Sequence, residues 1–122
     1  MSNIPINQSP TIPITIFGYN PVVNVNIQNA IVDTGFTGFL SVPLIYALQA
    51  GLILQTVSQS KIADGSIVPN LICLGTVIFK DKNFPGLIAI SSGQETLIGM
   101  EFLNRLSSFL IDFKTKVFTL LL

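Results

Sequence analysis

Ala30-Ile31-Val32-Asp33-Thr34-Gly35-Phe36-Thr37-Gly38 is the stretch whose reading decides this chain. A short apolar run ends at a carboxylate, and a turn with two glycines follows. Asp33 is the only charged residue among the first sixty. A carboxylate at the end of a buried strand must be hydrogen-bonded, paired or functional, because desolvating it alone is costly. The plain alternative is a turn Asp whose side chain accepts from nearby backbone N–H groups. The tripeptide Asp33-Thr34-Gly35 does not by itself decide between the two.

Working outward, most flanking segments read as strands. Thr11 to Phe17 is β-rich but carries Pro13, which suits an edge or terminal strand. Val22 to Ile27 alternates apolar and polar residues, and Ala30 to Val32 continues as an apolar run. Leu52 to Ile62 and Ile67 to Phe79 flank Asp64-Gly65, a strong hairpin signal. Leu87 to Ser91 is a further strand. Ile111 to Phe113 and Val117 to Leu121 surround the turn Lys114-Thr115-Lys116. Pro43 to Ala50, closed by Gly51, and Met100 to Leu106 are the two expected helices, both short. Ala30-Ile31-Val32-Asp33-Thr34-Gly35 is faintly echoed by Glu95-Thr96-Leu97-Ile98-Gly99; each is a short apolar run ending at a glycine near a helix. Many short strands and two short helices give an all-β barrel or sandwich.

Composition narrows the function. The 122 residues allow one domain over 1–122, with residues 1–10 expected to be loose. Six Lys and Arg balance six Asp and Glu without a basic run, so nucleic acid is not an expected partner. No apolar stretch reaches the ~18 residues of a membrane span. The start lacks both a positive region and an apolar signal core, so a cytoplasmic protein is expected. The chain has no His and one Cys, Cys73. Zinc sites of the His type, Ser-His-Asp triads, Cys-His dyads and an intrachain disulfide are therefore excluded, and no metal or other cofactor is expected. Charged residues are only 10%. Apolar surface so poor in charge is often covered by another copy of the chain, so self-association is expected.

Three elements then fall in order. The Asp33 turn follows an apolar strand, a hairpin tipped by Asp64-Gly65 comes roughly thirty residues later, and Leu97-Ile98-Gly99 precedes a short helix. This set resembles the retroviral-type aspartic proteases, the retropepsin-like family. More narrowly, it is similar to the small prokaryotic members whose motif reads Asp-Thr-Gly-Phe. The resemblance covers roughly residues 12 to 121. It implies an all-β fold, a retropepsin-like closed β-barrel with a flap hairpin and one or two short helices. It also implies a homodimer with one active site on the two-fold axis, to which each chain supplies Asp33. The β-rich ends, Thr11 to Phe17 and Val117 to Leu122, are candidates for an intersubunit sheet.

The implied activity is that of an aspartic endopeptidase acting on a peptide or protein substrate. Hydrolysis without His, metal or a nucleophilic Ser needs water activated by one carboxylate and a carbonyl polarised by a second. Two Asp groups ~3 Å apart cannot both ionise easily, so they share one proton and titrate as a pair. By the resemblance, Asp33, Thr34 and Gly35 are the catalytic triplet, with Thr34 bonding across the interface to brace both loops. Gly35 lets backbone N–H groups approach the carboxylates. Ile62, Ala63, Asp64, Gly65 and Ser66 form the flap tip that closes over an extended peptide. Phe36 stands where the family usually has Ala or Ser, and is expected to reshape the pocket floor. Ile98 is placed with the pocket, while Leu97 and Gly99 support the loop from behind, where a side chain on Gly99 would collide. Glu101 and Arg105, four apart, are expected to pair on a helix face; the alternative, by the resemblance, is that Arg105 braces the active-site loop as a basic residue near this helix does in some relatives. Cys73 is expected to be a buried thiol. Two other readings stay open: a catalytically idle dimerisation or peptide-binding module of the same fold, and an unrelated small β-barrel in which Asp33 only caps a turn.

Overall fold

A computed structural model describes residues 10–61, 63–106, 108–112 and 117–121. Ile62, the Lys114-Thr115-Lys116 turn and, except for Pro10, the N-terminal stretch expected to be loose lie outside the described residues. The elements run β1 (Thr11–Phe17), β2 (Asn24–Val32), β3 (Leu40–Pro43), α1 (Leu44–Ala50), β4 (Ile53–Lys61), β5 (Ile67–Phe79), β6 (Lys82–Ser91), β7 (Leu97–Ile98), α2 (Met100–Leu103), β8 (Ser108–Asp112) and β9 (Val117–Leu121).

Each strand follows from its side-chain pattern. In β1 the isoleucines Ile12, Ile14 and Ile16 point into the core and alternate with Thr11, Pro13 and Thr15. Pro13 lacks an N–H. It sits where the β1–β2 register shifts, and it precedes Thr15–Phe17, the segment that also pairs with β5. β6 begins at Lys82, well before the Leu87 expected from sequence. Lys80 and Asp81 both take positive φ, 49° and 65°, in a two-residue loop between the paired Phe79 and Lys82. That geometry matches the twist of the flanking strands, so pairing starts at once. Pro85 and Gly86 hid this extension in the sequence. α1 is capped by Gly51 at φ 65°, a left-handed conformation that suits glycine. α2 makes one helical turn, and i to i+3 bonds then carry the chain on to Leu106.

The sheet runs β1-β2-β7-β3-β6-β5-β4, and β1 also pairs with β5. This last pairing closes the sheet on itself and leaves β4 outside the ring. Thr15–Phe17 is therefore flanked on both sides by strands of its own chain, which leaves that part of β1 no free edge for an intersubunit sheet. β8 and β9 pair with each other in a separate two-stranded sheet. The core inside the ring centres on Phe102 of α2, whose ring meets Phe39, Phe79 and Phe84 edge-on at centroid distances of 5.7, 6.2 and 5.1 Å. α2 thus plugs the interior, although it has only four residues.

Candidate active site

The loop from Asp33 to Phe39 joins β2 to β3, and β7 is threaded between these two strands. Ile31 and Val32 pair in parallel with Leu97 and Ile98, while Leu40 and Ser41 pair antiparallel with the same two residues. Four main-chain bonds clasp the loop to β7 and the start of α2. Asp33 N–H donates to the Ile98 carbonyl at 2.9 Å, and Gly99 N–H to Phe39 at 3.1 Å. Met100 N–H donates to Phe36 at 2.8 Å, and Glu101 N–H to Gly38 at 3.1 Å. Gly99 is the close-approach point: a Cβ there would stand 2.0 Å from the Gly38 carbonyl oxygen. Only a residue without a side chain lets the two segments meet.

Asp33 is half-buried and Thr34 and Gly35 are exposed. The Asp33 carboxylate accepts the Gly35 N–H at Oδ1, 2.9 Å away. Phe36 N–H closes the turn on the Asp33 carbonyl at 3.1 Å. Among the described residues the other carboxylate oxygen takes no hydrogen bond. The turn thus holds a half-buried carboxylate by one of its oxygens.

The β4–β5 hairpin projects from the ring. β5 pairs with β6 only from Ile72 onward, so among the described strands Ile67–Leu71 pairs with β4 alone. Ala63, Asp64, Gly65 and Ser66 are exposed at its tip. Asp64 Oδ1 accepts both the Ser66 N–H at 2.8 Å and the Ser66 hydroxyl at 2.6 Å. Gly65 takes φ 89°. These two Ser66 bonds, the hydroxyl first, hold the Asp64 carboxyl below its ordinary range. A group depressed in the folded state stabilises the turn above its unfolded pKa and releases it as pH falls through the folded value. Protection of the Ser66 amide against hydrogen exchange should therefore persist at mildly acid pH and vanish only in stronger acid, and Asp64→Ala should remove it at every pH. Cys73, Gly75, Val77 and Phe79 are buried on the inner side of β5. With period two, Ile67 and Leu71 fall on that same side, and Val57 pairs with Leu71. The inner register of the ribbon is thus largely apolar.

Of the two residues of β7, Ile98 is 1% exposed and packs in the core, while Leu97 is half-buried. Strand alternation sends one residue inward and its neighbour outward, so Leu97 and not Ile98 borders the surface beside the loop. The ring of Phe36 lies against Gly38 and the β7–α2 junction. Arg105 does not pair with Glu101: its Nη1 donates to the Pro85 carbonyl, and its guanidinium stacks 4.6 Å from the centre of the Phe39 ring. Cys73 is buried, and desolvation pushes its thiol pKa up, away from the reactive thiolate. Among the described residues no cluster of three or more His, Cys, Asp or Glu could hold a metal ion, and no helix is long and apolar enough to cross a membrane.

A closed all-β sheet, an Asp-Thr-Gly loop clasped by a short threaded strand, and a projecting hairpin together define a retropepsin-like fold. Solved structures agree. EIAV protease complexed with the inhibitor HBY-793 superposes with a TM-score of 0.59 at 15% identity, over 91% of this chain and 100% of that one. A retropepsin-like aspartic protease from Rickettsia conorii gives 0.59 at 21% identity, over 88% and 79% of the two chains. The retroviral protease-like domain of Ddi1 from Leishmania major gives 0.56 at 16%, over 93% and 90%. At these identities the likeness is one of fold. No protein-family model matches the sequence, and no curated protein matches it significantly.

Proposed function

We propose that the protein is an aspartic endopeptidase that works as a homodimer, with water activated between two Asp33 carboxylates, one from each chain. The observation that carries this reading is the Asp33 carboxylate, half-exposed on a clasped loop with one oxygen fixed by the Gly35 N–H. Asp-Thr-Gly occurs once in the sequence, so the second carboxylate has to come from a second copy. The shared proton makes one carboxylate the base and the other the acid. Thr34 and Gly35 position the pair, and the ribbon tip, Ala63 to Ser66 with Ile62 beside it, closes over an extended peptide. Its apolar inner register suits apolar side chains.

The β8–β9 hairpin supports the dimer. A lone two-stranded sheet is marginal in water, and its sequence, with Phe109, Leu110, Ile111, Val117 and Phe118, is apolar. Two such hairpins, one from each copy, would complete a larger sheet. The test is cleavage of an unbiased peptide mixture from acid to neutral pH, wild type beside Asp33→Asn. Cleavage by wild type only, strongest on the acid side and centred on apolar pairs, is the expected result. Specific activity should also fall on dilution as the dimer dissociates; a rate per chain that stays constant below the measured dimer dissociation constant would overturn the shared site.

A further inference from the structure

Phe36 is partly buried, and its ring is packed within its own loop. A Cβ placed on Gly38 would stand 2.7 Å from Cε1 and Cζ of its ring, and one on Gly99 would stand 2.7 Å from Cδ2. The ring therefore fills the space between the far end of its own loop and the β7–α2 junction. The main chain of the same residue makes two of the bonds that hold the site. Its N–H donates to the Asp33 carbonyl, and its carbonyl accepts the Met100 N–H. A pinned ring fixes both peptide planes that flank it, and so fixes the turn that presents Asp33. We propose that Phe36 is a positioning residue, a prop beneath the Asp33 loop, and not part of the substrate pocket. The proposal rests on the peptidase reading for its kinetic consequence but not for its packing.

The proposal separates from a pocket role by the parameter that moves. A pocket wall contributes to ground-state binding, and its loss raises KM. A prop sets the placement of the reacting group, and small misplacements lower kcat by on the order of 10²-fold. Phe36→Ala is expected to lower kcat by about that factor with KM little changed, and Phe36→Leu to recover most of it. A second pair of variants tests the contact itself. The three atoms nearest a Cβ on Gly38 all belong to the Phe36 ring. Gly38→Ala should therefore destabilise the wild type yet add nothing further in the Phe36→Ala background, a non-additivity that marks direct coupling.

The experiment measures kcat and KM on the peptide that wild type cleaves best from the unbiased mixture. Thermal melts of the two single variants and the double variant run alongside, with hydrogen exchange at the Met100 amide. Loss of Met100 protection in Phe36→Ala, its return in Phe36→Leu and a kcat-only effect are the expected results. A raised KM with kcat retained, additive melts or unchanged Met100 protection would overturn the prop. Should wild type cleave nothing, the peptidase reading fails, and the exchange and melting data still decide the packing role.

Discussion

Asp33→Asn is expected to abolish peptide cleavage while the protein stays folded and dimeric. One substitution in the sequence removes both carboxylates of the proposed pair. Each positioned acid or base contributes ~10²–10⁴-fold, so a loss of ~10⁴-fold or more is expected. The fold should tolerate the change. The amide oxygen of asparagine can still accept the Gly35 N–H that Oδ1 now takes at 2.9 Å. The bond from residue 33 to the Ile98 carbonyl is main chain and is unaffected. Cleavage assays should be read beside size-exclusion and thermal melting of the same preparation. Residual cleavage near the wild-type rate would refute the mechanism. Loss of cleavage together with a lowered melting temperature would instead give Asp33 a structural role in the turn.

Gly99→Ala is expected to be the most damaging small substitution at the site. The added Cβ would lie 2.0 Å from the Gly38 carbonyl oxygen and 2.7 Å from the Phe36 ring. The first neighbour is backbone, held by the Glu101 N–H, and cannot swing aside. Overpacking against backbone costs about 3 kcal/mol or more, which in a domain of this size lowers the melting temperature by roughly 10 °C or more. Gly93→Ala is the control: its Cβ meets nothing nearer than Ser91 Oγ at 4.0 Å, and it should change stability by less than about 0.5 kcal/mol. Equal melting of the two variants would show that β7 is not tightly clasped to the loop.

These two residues mark how far the sequence could be read. Asp33 stood out because a lone charge after an apolar strand demands an explanation. Gly99 was placed behind the loop by resemblance, and the 2.0 Å approach to Gly38 gives that placement its physical basis. The alternating segment Val22–Ile27, the β-rich runs of β1 and β5 and the Asp64-Gly65 hairpin were legible because local side-chain pattern and turn chemistry dictate them. β3 and β7 were not read as strands. Both are short, and two residues such as Leu97-Ile98 carry no periodicity. Ile98 was placed with the pocket by resemblance, and its 1% exposure could not be read from two residues: which of two neighbours faces inward depends on the sheet, and the sheet is a long-range object.

The sequence by itself determined most of the longer strands, the Asp64-Gly65 hairpin, the two short helices, the exclusion of His-based chemistry and the placing of one carboxylate at the end of an apolar strand. These depend on neighbours a few residues apart, where propensity, period and turn residues act. Only the tertiary structure decided that two echoing segments, Ile31-Val32 and Leu97-Ile98, lie side by side in parallel, that β1 closes the sheet on β5, and that Arg105 turns from Glu101 to Phe39 and Pro85. Those contacts join residues far apart in the chain. Their geometry is set by which apolar faces can be buried together, and no local pattern encodes it.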